Sequence, residues 1–329
     1  MNIQYFFRHP HVGHSIHRVF RTIIKEISKT QETDIIEVPN AGSMPWDVIK
    51  NNLFVFNHRK QHTIHHVTGH IHDVLMALIG VKTVLTIHDL VFLDNVKNPI
   101  KRFYKWLFWL YIPIKIADKV VCISTQTKHN ILSKITTDKL VVIHNPVDPA
   151  FNFSEKPFNQ EMPIILHIGT GWNKNLEKTI QALAGINCHL RIIGKLSSTQ
   201  FKLLNDFNIN FSNQCNLSDS EIKQEYTNCD IVNFPSKYEG FGMPIIEGQC
   251  TGRIVVTSNI EPIIEVANGA AVFISPEDVN SITTAYTKII ADEAYRIDII
   301  NRGLINCERF RVESITQQYL ELYKKIIKE

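Results

Sequence analysis

The chain has 329 residues, 44% of them hydrophobic and 20% charged, with a formal net charge of +3. This is the length of two globular domains, and no apolar run reaches the length of a membrane span. The six cysteines are scattered without a C-x-x-C pair, which sets aside a disulfide framework or zinc site and points to thiols in a reducing compartment.

Residues 3–7 read as a first strand rather than as the apolar core of a signal peptide. A loop carrying Gly13 follows, then a helix over residues 15–28 with Ile16, Val19, Phe20, Ile23, Ile24 and Ile27 on one face. His58, His62, His65, His66, His70 and His72 crowd the next segment. Residues 63–68 have strand character, which sends His65 and His66 to opposite faces and argues against a metal site. The strand at residues 84–87 closes on His88 and Asp89. Residues 101–111 combine cations with six aromatics over a helical length; this run either lies in a membrane interface or covers the sheet. Residues 120–124 and 140–144 read as further strands, and the proline-rich residues 146–162 as a linker.

A second series then begins. Strands at residues 164–168, 190–193, 231–234 and 254–257 alternate with helices at residues 176–184, 220–227 and 245–250. The tail, residues 314–327, is an amphipathic helix with Ile315, Tyr319, Leu322, Tyr323 and Ile326 on one side. Strands alternating with helices imply parallel sheets covered on both faces, hence an α/β fold class with two Rossmann-like domains. Ligands of such sheets bind beyond the carboxyl ends of the strands, which places the expected cleft between the domains. Residues 1–150 hold 18 Lys/Arg against 11 Asp/Glu, and residues 151–329 hold 17 against 21. The basic half suits anionic lipid headgroups or an acidic acceptor.

Residues 235–247, P-S-K-Y-E-G-F-G-M-P-I-I-E, carry the most chemistry. A strand ends before them, Gly240-Phe241-Gly242 makes a turn, and Pro244 suits the start of a helix. A helix start behind a glycine turn presents backbone N–H groups of residues 241–243 to an anion. Glu239 and Glu247 bracket that turn, so a phosphate flanked by hydroxyl groups fits. Glu247 is otherwise a first-turn carboxylate complementing the helix dipole. Lys174 follows the strand at residues 164–168 and a turn, placing a cation beside another helix start, where it suits a diphosphate.

This stretch resembles the signature of the retaining glycosyltransferases of family 4, which have the GT-B fold. I-I-L-H-I-G-T at residues 164–170 with Lys174-Asn175, V-L-T-I-H-D at residues 84–89, A-D-K-V-V-C-I-S at residues 117–124 and H-N-P-V-D at residues 144–148 resemble the family's other landmarks, in family order. The resemblance implies an acceptor-binding domain over residues 1–148, a nucleotide-sugar domain over 149–310, and a final helix, 311–329, crossing back to the first domain. It also implies roles: Lys174 and the turn residues Gly240, Phe241, Gly242 and Met243 for the diphosphate, Glu239 for the donor sugar, Glu247 for the ribose. His88 would meet the donor sugar or the acceptor hydroxyl, with Asp89 beside it, and Gly13 would approach the donor phosphate. The family's usual Arg near Lys174 is replaced here by Thr170, Gly171, Trp172 and Asn173.

The expectation is therefore a cytoplasmic, metal-independent, retaining transferase of hexose from a nucleoside diphosphate sugar. No Asp-x-Asp occurs, and no cofactor is expected. The acceptor is a hydroxyl of a glycan or lipid-linked glycan, with peripheral contact to the anionic inner face of the membrane and no nucleic acid. Alternatives are a GT-B-type sugar-nucleotide epimerase or hydrolase, and a non-catalytic nucleotide-sugar-binding module.

Overall fold

A computed structural model describes residues 1–9 and 14–329; Gly13 lies outside the described residues. The chain divides into two compact units, Met1–Pro146 with Val312–Glu329, and Val147–Arg311. Each is built on a six-stranded sheet whose neighbouring strands all run parallel, so the fold class is α/β with two Rossmann-like units.

The N-terminal unit contains β1 (Asn2–Phe7), β2 (Glu32–Glu37), β3 (Ile64–Val67), β4 (Thr83–Ile87), β5 (Lys119–Cys122) and β6 (Leu140–Val142), in the order β2-β1-β3-β4-β5-β6. Central β4 is buried at every position, as a strand covered on both faces must be. Edge strand β2 instead carries Glu32, Asp34 and Glu37, charges that discourage pairing with a further strand. Helix α1 (His14–Ile27) turns Val19, Phe20, Ile23, Ile24 and Ile27 inward. Helix α2 (Pro45–His58), not assigned from the sequence, begins at Pro45 and buries Val48, Asn51 and Val55.

The final helix, Val312–Lys328, packs on α1 and buries Ile315, Tyr319, Leu322, Tyr323 and Ile326. The Tyr323 hydroxyl is 2.6 Å from His66 Nδ1, and His66 Nε2 is 2.8 Å from Thr86 Oγ1. His65, on the other side of β3, stacks on Phe6 and lies 3.2 Å from the Lys82 carbonyl through Nδ1. The aromatic run divides: helix Pro99–Trp106 leaves Ile100 and Phe103 exposed, and the π-helical turn Leu107–Tyr111 buries Trp109 and Leu110. Among the described residues no group of three or more His, Cys, Asp or Glu is arranged to hold a metal. None of their helices is long and apolar enough to cross a membrane.

The C-terminal unit contains β7 (Ile164–Ile168), β8 (His189–Ile193), β9 (Phe211–Gln214), β10 (Ile231–Phe234), β11 (Ile254–Ser258) and β12 (Val272–Ile274), in the order β12-β11-β10-β7-β8-β9. The chain builds outward from β7 to β9, then returns to β10 on the other side of β7. That reversal makes the carboxyl ends of β7 and β10 the place where such a sheet opens a crevice. All six cysteines are free, and all but Cys215 are buried.

Burial holds His66, His72, His88 and His167 neutral, with pKa values pushed down from 6.5 to about 3. An unfolded imidazole titrates near 6.5, so below that pH the unfolded chain binds the extra protons. Stability is therefore full above about pH 6.5 and is lost progressively as pH falls toward about 3, each histidine contributing up to about 1.4 kcal/mol per pH unit. Thermal melting followed by circular dichroism should show Tm falling steadily from about pH 6.5 to about pH 4.5. A flat profile over that window contradicts the burial of neutral imidazoles.

Candidate functional site

The loops that leave β7 and β10 meet at the opening of the C-terminal sheet. Gly169 ends β7, a 3-10 turn Trp172–Lys174 follows, and helix Leu176–Leu183 begins after it. Asn175 between them is left-handed, at φ 61°, a conformation that asparagine tolerates better than most residues. Its buried amide donates to the carbonyls of Pro235, at 3.2 Å, and Pro276, at 2.6 Å. One side chain thus ties together the loops after β7, β10 and β12.

Lys174 Nζ lies 2.5 Å from Glu239 Oε1, with the two side chains only 23% and 14% exposed. The ammonium also sits 4.7 Å from the centre of the Phe234 ring, whose face favours a cation. Asn173 Nδ2 donates to the same Glu239 oxygen at 3.3 Å and to the Tyr238 carbonyl at 3.2 Å. The two residues expected to grip the donor are therefore brought into direct contact, and Asn173 joins them. In the sequence Asn173 stands out only as one of the positions that lack the expected Arg.

The glycine turn leads into helix Met243–Cys250 with Pro244 at its second position, one residue later than expected. Gly242 caps it at φ 111°, and a Cβ there would lie 2.9 Å from Ile245 Cδ1, so only glycine fits. Phe241 buries its ring edge-on against Phe310, so that it offers the site its backbone rather than its ring. Glu247, in the same helix, is 3% exposed and accepts a 2.6 Å hydrogen bond from the Tyr226 hydroxyl through Oε2. Tyr226 fixes that carboxylate, a role hidden in the sequence because it reads simply as an apolar position of helix Asp219–Asn228.

A second cation stands on the rim. The Lys237 N–H donates to the Asn173 carbonyl at 2.8 Å, and Lys237 Nζ pairs at 2.9 Å with the exposed Glu277. An exposed pair of this kind is weakly held, so the ammonium is available to a stronger anion. His167, inside β7, is kept neutral by burial and by Lys174, and shares a 2.8 Å hydrogen bond with Asn233.

In the N-terminal unit His88 is buried after β4, its Nε2 2.8 Å from the Thr68 carbonyl. A carbonyl only accepts, so Nε2 carries the proton and Nδ1 of the neutral ring keeps its lone pair. Gly69 makes this approach possible: at φ +123°, a Cβ on it would lie 2.6 Å from His88 Cδ2. Asp89 turns its Oδ1 back to accept from the Val91 N–H at 3.0 Å, and its Oδ2 lies 3.9 Å from His70 Nε2.

Comparison with known proteins bears on both units. Residues 149–304 match the model of Glycosyl transferases group 1, and residues 10–151 match that of Glycosyltransferase Family 4. The chain is 33% identical over 106 residues to the O-antigen chain mannosyltransferase B of Escherichia coli, a match covering 32% of this chain and 28% of that one. It is 26% identical over 111 residues to the N,N'-diacetylbacillosaminyl-diphospho-undecaprenol alpha-1,3-N-acetylgalactosaminyltransferase of Campylobacter jejuni, covering 33% and 30%. The chain thus spans about three tenths of the length of each of these curated relatives. Among solved structures, Anabaena Alr3699/HepE in complex with UDP and glucose superposes with a TM-score of 0.80 at 14% identity, covering 99% of this chain and 100% of that one, which shows a common fold. Between them the two family models take in nearly the whole chain, which belongs to the family 4-like glycosyltransferases with the GT-B fold.

Proposed function

We propose that the protein is a retaining glycosyltransferase that moves a hexose from a nucleoside diphosphate sugar to a hydroxyl of a glycan or lipid-linked glycan, without a metal ion. The observation that carries this reading is the partly buried Lys174–Glu239 pair at the switch point between β7 and β10. An ammonium held there by a carboxylate and an aromatic face is already oriented and largely stripped of water, so a diphosphate gains it at small cost in reorganisation. The start of helix Met243–Cys250 adds backbone dipoles, and Lys237 supplies the second positive charge in place of the missing Arg. These donors neutralise the departing phosphate, the task a divalent ion performs in other transferases.

In the reaction the acceptor hydroxyl attacks C1 on the face from which the nucleoside diphosphate leaves. The C1–O bond to phosphate breaks, the new glycosidic bond forms, and the released phosphate oxygen takes the hydroxyl proton. Glu239, once the diphosphate draws Lys174 away, offers its carboxylate to the sugar hydroxyls. Glu247 receives the ribose, with Tyr226 holding its other oxygen. His88, neutral and with Nδ1 open as an acceptor, takes a hydrogen bond from a sugar hydroxyl and donates no proton there. The names of the two curated relatives, an O-antigen chain transferase and one for a diphospho-undecaprenol-linked sugar, support the glycan or lipid-linked acceptor.

Lys174→Ala should lower kcat/KM roughly 10²–10³-fold and weaken nucleoside diphosphate binding. Glu239→Gln should abolish transfer yet keep or tighten that binding, because the competing carboxylate is gone. Calorimetry with UDP, GDP and ADP, paired with a labelled-donor assay, reads both quantities. Unchanged turnover in both variants defeats the assignment, and free or epimerised sugar without glycan product favours the epimerase or hydrolase. Gly69→Ala pushes His88 out of place and should cut transfer roughly 10²-fold while nucleoside diphosphate binding stays as in the wild type. Wild-type turnover in that variant removes His88 from the site.

A further inference from the structure

Helices Met243–Cys250 and Glu293–Cys307 pack on each other, and each ends on a cysteine. Gly303 lets them meet closely, since a Cβ on it would lie 3.1 Å from Gln249 Cγ. One turn on, Asn306 Nδ2 donates to Gln249 Oε1 at 2.8 Å. Both amides are also anchored to the main chain, Asn306 at the Val266 carbonyl and Gln249 at that of Ala270, each at 2.8 Å. Cys250 and Cys307 directly follow these two residues. Both are 6% exposed, and their thiols are hydrogen-bonded to each other. Close approach of this kind is what a disulfide requires, because cysteines whose Cα atoms stand more than about 7 Å apart cannot be bridged.

The two thiols are also unequal. The hydrogen bond from Cys250 outweighs burial and the nearby Glu308 in lowering the Cys307 pKa, with Arg311 helping, while the same bond raises that of Cys250. The other buried thiols stay protonated, since burial pushes Cys122 and Cys229 up to about 12 and Cys188 to about 11. Only the thiolate attacks a disulfide, so Cys307 is the entry point and Cys250 the resolving thiol. Cys307 lies just below the surface, with exposed Ile305, Glu308 and Arg309 around it.

We propose that Cys250 and Cys307 form a reversible disulfide, with a low-molecular-weight disulfide such as oxidised glutathione as the oxidant. The Cys307 thiolate attacks one glutathione sulfur and releases the first glutathione as a thiolate. Cys250 gives up its proton to the medium, attacks Cys307 in the mixed disulfide and releases the second. Two protein thiols are oxidised and one glutathione disulfide is reduced to two thiols. Helix Met243–Cys250 is a single short element with the glycine turn at its start, Glu247 within it and Cys250 at its end. A bond at Cys250 therefore restrains the element that shapes the candidate site. The bond forms without nucleotide or acceptor, so its test stands apart from the proposed function.

The test treats the full chain with oxidised glutathione and maps its peptides by mass spectrometry without reduction. The wild type should lose two hydrogen atoms in mass, yield a cross-linked peptide pair joining Cys250 to Cys307, and revert with dithiothreitol. Cys215→Ser, which removes the exposed thiol, should form the same bond. Cys250→Ser, whose hydroxyl can still donate to Cys307, should stop at a glutathione adduct on Cys307. In the oxidised wild type, amide hydrogen exchange over residues 243–250 should slow roughly ten-fold or more, because the cross-link suppresses local opening. A wild type that keeps its full mass, a cross-link through any other cysteine, or exchange over residues 243–250 that the bond leaves unchanged overturns the proposal.

Discussion

The ion pair of Lys174 and Glu239 is the contact on which the C-terminal unit's chemistry depends. It joins two loops that are 65 residues apart in sequence and adjacent only because β7 and β10 are neighbours at the point where strand order reverses. The pair is shielded enough to be strong and open enough to be exchanged. In the proposed reaction an incoming diphosphate would compete with Glu239 for the ammonium, and the displaced carboxylate would then be ready for the sugar. Under that proposal, binding the leaving group and freeing a sugar-binding acid become one event. The loops themselves are held by Asn175, whose amide ties three of them to a common centre.

Much of this half was legible because its signals are local. Glycine at a left-handed helix cap, a proline in the first turn and carboxylates on both sides occupy one continuous stretch, and Lys174 follows a recognisable strand and turn. What stayed hidden depends on residues remote in sequence. In sequence Asn173 marks only an absent Arg, yet it bonds to Glu239, and nothing local marks Tyr226 as a partner of Glu247. Helices Val279–Ala291 and Glu293–Cys307 were missed although Asp278 and Asp292 cap them, accepting from Asn280 and Tyr295 N–H groups.

In the N-terminal half, edge strand β2 was obscured by its acids, and α2 by apolar residues on opposite sides, which blur a helical period into general hydrophobicity. The crowded histidines of the segment after residue 58 resolved into separate duties. His65 and His66 brace the two faces of β3, and His72 donates to the Trp109 carbonyl at 2.7 Å. Burial of His88 was equally out of reach of the sequence, since it follows from Gly69 and Thr68 on a neighbouring strand's loop. That burial matters chemically. A ring whose pKa burial lowers to about 3 is neutral at neutral pH, so in the proposed reaction it would position a hydroxyl and leave proton removal to the phosphate.

The central claim is the exchange of Glu239 for a diphosphate at Lys174. A crystal structure of the protein soaked with UDP tests it most directly. The account predicts phosphate oxygens within hydrogen-bonding distance of Lys174 Nζ and of the backbone at Gly242 and Met243, with Glu239 parted from the ammonium. Nucleotide bound elsewhere, with the Lys174–Glu239 contact intact at its present 2.5 Å, contradicts it.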